Sequence, residues 1–161
     1  MANKIKIKLI YPFGYLKWFR NLPYGMGVLT FSLRKRGYYV EQEDLFIETT
    51  KWQPETGPFD NIINSHIKKI LKEISIRNFG LIGFSIFSIN QIKEALLLAS
   101  IIKEHYPQVP IVFGGAHISL FGNFIFEKHK FVDYMILGPG EIPFFELIQY
   151  LEGKRRLNKV S

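Results

Sequence analysis

Three turns built from small residues each follow directly on a short apolar run: Ser85-Ile86-Phe87-Ser88, Gly114-Gly115-Ala116-His117 and Gly138-Pro139-Gly140-Glu141. Amphipathic stretches separate the runs. One carries Met26, Leu29 and Leu33, another Ile63, Ile67, Ile70, Leu71 and Ile74, and a third Ile92, Ala95, Leu96, Ala99 and Ile102, all at helical spacing. Short strands that alternate with helices through short connections fold as a parallel sheet with helices on both faces. The expected fold is therefore a three-layer, doubly wound, flavodoxin-like or Rossmann-like α/β domain with a five-stranded parallel sheet of order 2-1-3-4-5. In such a sheet the strand ends lie side by side, and small turns at three of them leave a crevice where a flat ligand can approach the backbone.

The expected strands are Ile5–Tyr11, Tyr38–Leu45, Phe79–Phe84, Val109–Phe113 and Val132–Leu137. Helices are expected from Leu22-Pro23 to a stop at Arg36-Gly37, from Asn61 to about Asn78, from Ile92 to Pro107, over Leu120–Lys130 and over Pro143–Leu151. Residues 46–60 form the longest irregular stretch. Lys4, Lys6 and Lys8 alternate with Ile5, Ile7 and Leu9, a pattern that suits a strand with one wet face. Lys93, Glu94, Lys103 and Glu104 are assigned to the outer side of the third helix. Residues 1–152 make one domain, and the charged stretch 153–161 reads as the start of a linker.

Composition narrows the chemistry. With 161 residues, 47% of them hydrophobic, the chain can bury a core. It contains no cysteine, which excludes disulfides, thiolate metal sites and a cysteine nucleophile, and suits a reducing cytoplasm. No apolar run approaches the roughly 20 residues of a membrane span. The net charge of +7 is concentrated at the two ends, in Lys4 to Arg36 and in Lys154, Arg155, Arg156 and Lys159. That distribution reads as a solvated face and a basic tail rather than a nucleic-acid surface.

Taken in order, Leu22 to Leu29, Leu33 to Val40, Phe79 to Ser85, Val109 to His117 and Val132 to Glu141 resemble the cobalamin-binding domain found at the N-terminus of B12-dependent radical SAM enzymes. The resemblance implies cobalamin held over the C-terminal ends of the strands, with its nucleotide tail in a slot beside the sheet. It implies cofactor contacts at Ser85, Phe87, Ser88, Gly114, Gly115, Ala116, His117, Gly138, Gly140 and Glu141, and it implies that Tyr11, Pro12 or Phe13 lies near the lower face of cobalt. The mutase-type Asp-x-His-x-x-Gly motif is absent: its place reads Tyr11-Pro12-Phe13-Gly14-Tyr15-Leu16. The resemblance also implies a radical SAM domain, in cis or as a partner protein, that holds S-adenosylmethionine and a 4Fe-4S cluster, since this chain has no cysteines for one. Methyl transfer is the activity it suggests for such an assembly, with no catalytic residue in this chain. The alternatives are a flavodoxin-like FMN-binding or regulatory module, and a free-standing cobalamin carrier. Ser85 and Ser88 are open to a second role as helix caps.

Overall fold

A computed structural model describes residues 4–13, 22–45 and 76–156. The irregular stretch 46–60, the helix expected from Asn61, and Gly14 to Leu16 lie outside the described residues. Five strands form one parallel sheet in the order β2-β1-β3-β4-β5: β1 (Ile7–Tyr11), β2 (Val40–Asp44), β3 (Leu81–Ser85), β4 (Ile111–Gly114) and β5 (Tyr134–Met135). Four helices flank it among the described residues: α1 (Tyr24–Lys35), α2 (Ile92–His105), α3 (Ala116–Lys128) and α4 (Glu141–Leu151). The expected order and the three-layer, doubly wound architecture are both present.

Strand alternation divides the core in two. On one face Ile7, Leu9, Leu81 and Val112 pack against Met26 and Leu33 of α1 and Phe144, Leu147 and Ile148 of α4. On the other, Ile10, Ile82, Phe84, Ile111 and Phe113 pack against Ala95, Leu98, Ala99 and Ile102 of α2 and Ile118 and Ile125 of α3. All-parallel strands with both faces covered read as continuous apolar runs, and β3 and β4 do so for that reason.

The stop of α1 is as expected: Gly37 takes φ of +79° after the basic last turn, a conformation that glycine adopts without strain. Most other element ends shift from the sequence reading by one or two residues, β1 starting at Ile7, β2 at Val40, β3 at Leu81, β4 at Ile111 and α4 at Glu141, and two further differences have a local cause. Strand β5 has only two residues, because the Asp133 carboxylate takes over the start of its ladder by accepting from the Ile111 amide at 2.7 Å, and Lys103 pairs with the same oxygen at 2.9 Å. Helix α3 starts at Ala116 rather than Leu120, because Gly115 turns the chain sharply enough for the helix to begin at once.

The wet face expected of β1 stops short of Lys8. Lys4 and Lys6 are exposed, but Lys8 is only 1% exposed and pairs with Glu41 and, at 2.7 Å, with Glu43 of the edge strand β2. Lys8 shares its face with Ile10, and the two carboxylates beside it on β2 replace the water that an ammonium requires.

Glu94 is likewise buried rather than on the outer side of α2, at 2% exposure. It stands one turn before Leu98 on the apolar stripe, and neither carboxylate oxygen has a hydrogen-bond partner of standard geometry. Burial pushes its carboxyl well above the usual carboxylate range, with the nearby Phe13 amide pulling weakly the other way. Because the folded-state pKa is raised, the native chain holds a proton that the unfolded chain releases. Stability should therefore fall as pH rises above the unfolded carboxylate range. Glu94→Gln should flatten that slope and melt higher than the parent at pH 8, while the two coincide near pH 4. A parallel pair of melting curves checks it, and equal slopes would refute it.

Candidate functional site

On the sheet face that carries α1 and α4, a cavity of about 390 Å³ opens between the sheet and these two helices and runs out past the C-terminal ends of β3, β4 and β5. That volume is within the range of small-molecule and cofactor sites, which run from about 300 to 1,000 Å³. Its floor is Leu9, Gly83 and Val112, register neighbours on three adjacent strands. Gly25, Met26 and Leu29 of α1 and Phe144 of α4 form the far wall, and Ser85, Gly114, Gly115, Ala116, Gly138, Pro139, Gly140 and Glu141 form the mouth.

The glycines of the walls divide into those the chain's own packing requires and those that leave open space. Gly83 stands mid-strand, and a Cβ there would lie 2.7 Å from Leu9 Cδ2 and 3.2 Å from the Phe144 ring. A glycine in a strand interior marks close approach by something other than its own side chain. Gly25 and Gly138 have nothing within 4 Å of a Cβ position. Gly114 and Gly115 separate into two roles. A Cβ on Gly114 would meet only ordinary contacts, the nearest being the Ile136 carbonyl at 3.6 Å, so the chain's own packing does not require a glycine there. Gly115 is required by the chain itself: its φ of 106° and ψ of 176° are a glycine conformation, and a Cβ would lie 2.5 Å from the Ile86 carbonyl oxygen.

The mouth is tied together by side chains. Ser119 Oγ donates to the Gly115 carbonyl at 3.0 Å and accepts from the Gly138 amide at 2.8 Å, joining the loops after β4 and β5. The Ile86 amide donates to the Gly114 carbonyl at 2.8 Å, and the His117 amide donates to the Ile86 carbonyl at 3.2 Å, joining the loops after β3 and β4. Gln91 joins the loops after β1 and β3: its Nε2 donates to the Pro12 carbonyl at 2.8 Å, and its Oε1 accepts from the Phe87 and Ser88 amides at 2.7 and 3.1 Å.

Of the residues singled out in the sequence, the structure gathers Ser85, Gly114, Gly115, Ala116, Gly138, Gly140 and Glu141 around this cavity. The others lie elsewhere. His117 is in the first turn of α3 and lines a separate outer groove, 5.0 Å from the Phe121 ring, where burial lowers its pKa. The early start of α3 carries it away from the crevice. Ser88 is the N-cap of the short 3-10 turn Ile89–Gln91, with Gln91 reaching back to its amide as the partner of a capping box. Phe87 is 49% exposed beside it. Tyr11 is buried, its phenol raised by burial and pulled back by the Gln91 amide, and Phe13 packs on the α2 and α3 side of the core. Gly83, Met26, Leu29, Ser119 and Phe144 escaped the sequence reading. Only Gly83 carried a signal there, as a glycine interrupting an apolar strand.

No cluster of His, Cys, Asp and Glu able to hold a metal occurs among the described residues. An apolar slot with a glycine mouth suits a large organic ligand that brings its own functional groups. Residues 22–148 match the sequence profile of the B12 binding domain. The chain is a B12-binding domain. Over 57 residues, 35% of its length, this B12-binding domain is 44% identical to the cobalamin-dependent radical SAM methyltransferase TokK of Streptomyces tokunonensis, and it covers 8% of that protein. Its fold matches that of the radical S-adenosylmethionine methyltransferase TsrM from Kitasatospora setae, a structure with cobalamin and a [4Fe-4S] cluster bound, with a TM-score of 0.72 at 21% identity. That match covers 96% of the B12-binding domain and 28% of TsrM. A response regulator protein from Burkholderia multivorans shares the general architecture at a TM-score of 0.50 and 14% identity. Where a receiver would need acidic residues after β1 and a phosphorylatable aspartate after β3, this chain has Tyr11-Pro12-Phe13 and Ser85-Ile86.

Proposed function

We propose that the chain holds cobalamin with the corrin over the C-terminal ends of β1, β3, β4 and β5 and the nucleotide tail in the slot between the sheet and helices α1 and α4. We further propose that it serves a radical SAM enzyme of methyl transfer as its cofactor-holding module. The observation that carries the first statement is the slot itself. Leu9, Gly83, Val112, Met26, Leu29 and Phe144 make an apolar cleft with open space beside Gly25, which suits the flat benzimidazole at the end of the tail. Gly114, Gly138 and Gly140 leave backbone open at the mouth, where the amide groups on the corrin edge need hydrogen-bond partners. Bound cobalamin would supply a cobalt centre able to carry a methyl group.

The role as a module is supported by the absence of cysteine, which leaves no thiolate ligands for an iron-sulfur cluster in this chain, together with the likeness to TokK and TsrM. The cluster, S-adenosylmethionine and the substrate would then be held by a radical SAM domain elsewhere. What this chain's residues do is bind, orient and exclude water.

The slot is tested by Gly83→Val titrated with cobalamin and with cobinamide, the corrinoid that lacks the nucleotide tail. A valine there cannot fit without pushing the Leu9 and Phe144 side chains into the slot they line, so in a variant that still folds cobalamin affinity should fall by about a hundredfold while cobinamide affinity stays within about twofold of the parent. Equal losses for both corrinoids, or none for either, would place the tail outside the slot.

A further inference from the structure

In a sheet of order 2-1-3-4-5 the crossovers diverge between β1 and β3, and a crevice opens there because no helix covers both strand ends. One side chain bridges that gap. Gln91, 3% exposed, lies between the loops after β1 and β3 and uses its primary amide on both at once. Its carbonyl oxygen holds two successive backbone amides, Phe87 and Ser88, and its nitrogen holds the Pro12 carbonyl and lies against the Tyr11 phenol. A primary amide offers two acceptor sites and two donors, so the group is close to fully used.

We propose that Gln91 is a positioning residue for the cofactor: it fixes the separation of the loops after β1 and β3, and so sets the surface on which the corrin rests. The inference depends on the cobalamin reading given above and assigns Gln91 no contact with the ligand. Two features favour a role beyond general stability. The three bonds tie backbone of the loops that follow the C-terminal ends of β1 and β3, and the residue belongs to the 3-10 turn that precedes α2 rather than to the body of the core. A buried bridge between two loops changes their spacing when cut, whereas a hydrophobic contact of the same size would only loosen.

The test uses Gln91→Met, which keeps length and burial but removes every bond, and Gln91→Glu, which keeps the acceptor for Phe87 and Ser88 and loses the donor to Pro12. Each is titrated with hydroxocobalamin and cobinamide, and the visible circular dichroism of the saturated corrin is recorded. Gln91→Met should bind both corrinoids about tenfold more weakly than the parent and show altered dichroism at saturation, with Gln91→Glu between the two. Loss for both ligands alike marks the corrin surface, in contrast to the tail-specific loss of Gly83→Val. Unchanged affinity and dichroism in the variants, with a parent that binds, would overturn the role of Gln91 and leave the cobalamin reading standing. A parent that binds neither corrinoid would overturn that reading and the role with it. Should Gln91→Met fail to fold, Gln91→Glu carries the decision by the same two readouts.

Discussion

Gly115→Ala is expected to lower stability by on the order of 3 kcal/mol, close to 10 °C in melting temperature, and to abolish corrinoid binding. The cause is local and double. The φ of 106° with ψ of 176° belongs to glycine, and the added methyl would lie 2.5 Å from the Ile86 carbonyl oxygen and 2.8 Å from its nitrogen, backbone atoms that cannot rotate away. Relief requires the loop after β3 to lift from the loop after β4, which breaks the Ile86 amide bond to Gly114 and the His117 amide bond to Ile86. The neighbouring substitution separates fold from function. Gly114→Ala meets nothing closer than 3.6 Å and should melt within about 2 °C of the parent, yet it places a methyl in the cavity mouth and should weaken cobalamin about tenfold. Thermal melts and titrations of the two variants check both statements. A stable Gly115→Ala would contradict the geometry given for the turn.

The largest electrostatic effect is expected at the other end of β1. Lys8 is buried, whereas Glu41 and Glu43 keep side-chain exposures of 42% and 28%, so the two sides of the pairing are not equivalent. Replacing both acids, as Glu41→Gln with Glu43→Gln, strands an ammonium in the core and should cost about 3 to 5 kcal/mol. Adding Lys8→Met to that double variant should recover most of the loss, because methionine fills the volume and needs no counter-charge. Lys8→Met alone should change stability by no more than about 1 kcal/mol, since the two acids retain water. Denaturant unfolding of the four chains tests the cycle. A double glutamine variant as stable as the parent would show that the ammonium has another route to water.

The fold was open to the sequence because alternation and turn chemistry act locally. Gly37 marked the end of α1, and Gly114-Gly115 and Gly138-Pro139-Gly140 marked the ends of β4 and β5, each through a backbone need that a single residue type meets. What escaped depended on contacts between distant residues. Lys8 alternated as a solvent-facing lysine would, and only the pairing of β1 with β2 brings Glu41 and Glu43 alongside it. The charge of Glu94 points outward in the sequence, although its spacing to Leu98 and Ile102 sets it on the buried stripe.

The site followed the same division. Ser85, Gly114, Gly115, Ala116, Gly138, Gly140 and Glu141 line the cavity because each sits at a strand end, a position the alternation gives directly. His117 moved away because one boundary was late, and a helix that starts earlier rotates its first residues out of the loop. Ser119 carries no local mark of its bond to the Gly138 amide, and the Ser88-x-x-Gln91 spacing marks a capping box but not the bond from Gln91 to the Pro12 carbonyl, because both partners are distant in sequence. Gly83 was the readable exception: a glycine inside an otherwise apolar central strand marks close approach by other side chains, and in this sheet Leu9 and Phe144 close in over it where it forms the floor of the slot.

The central claim is that this chain by itself binds cobalamin at the strand ends. It is tested most directly by titrating the purified chain with hydroxocobalamin, followed by absorbance and by retention on gel filtration, with FMN as the comparison ligand. The account predicts saturable binding of one cobalamin per chain at micromolar concentration or below, co-elution of the corrin with the protein, and no retention of FMN. Corrin that elutes free of a folded chain at tens of micromolar, or FMN bound as tightly as cobalamin, would contradict it.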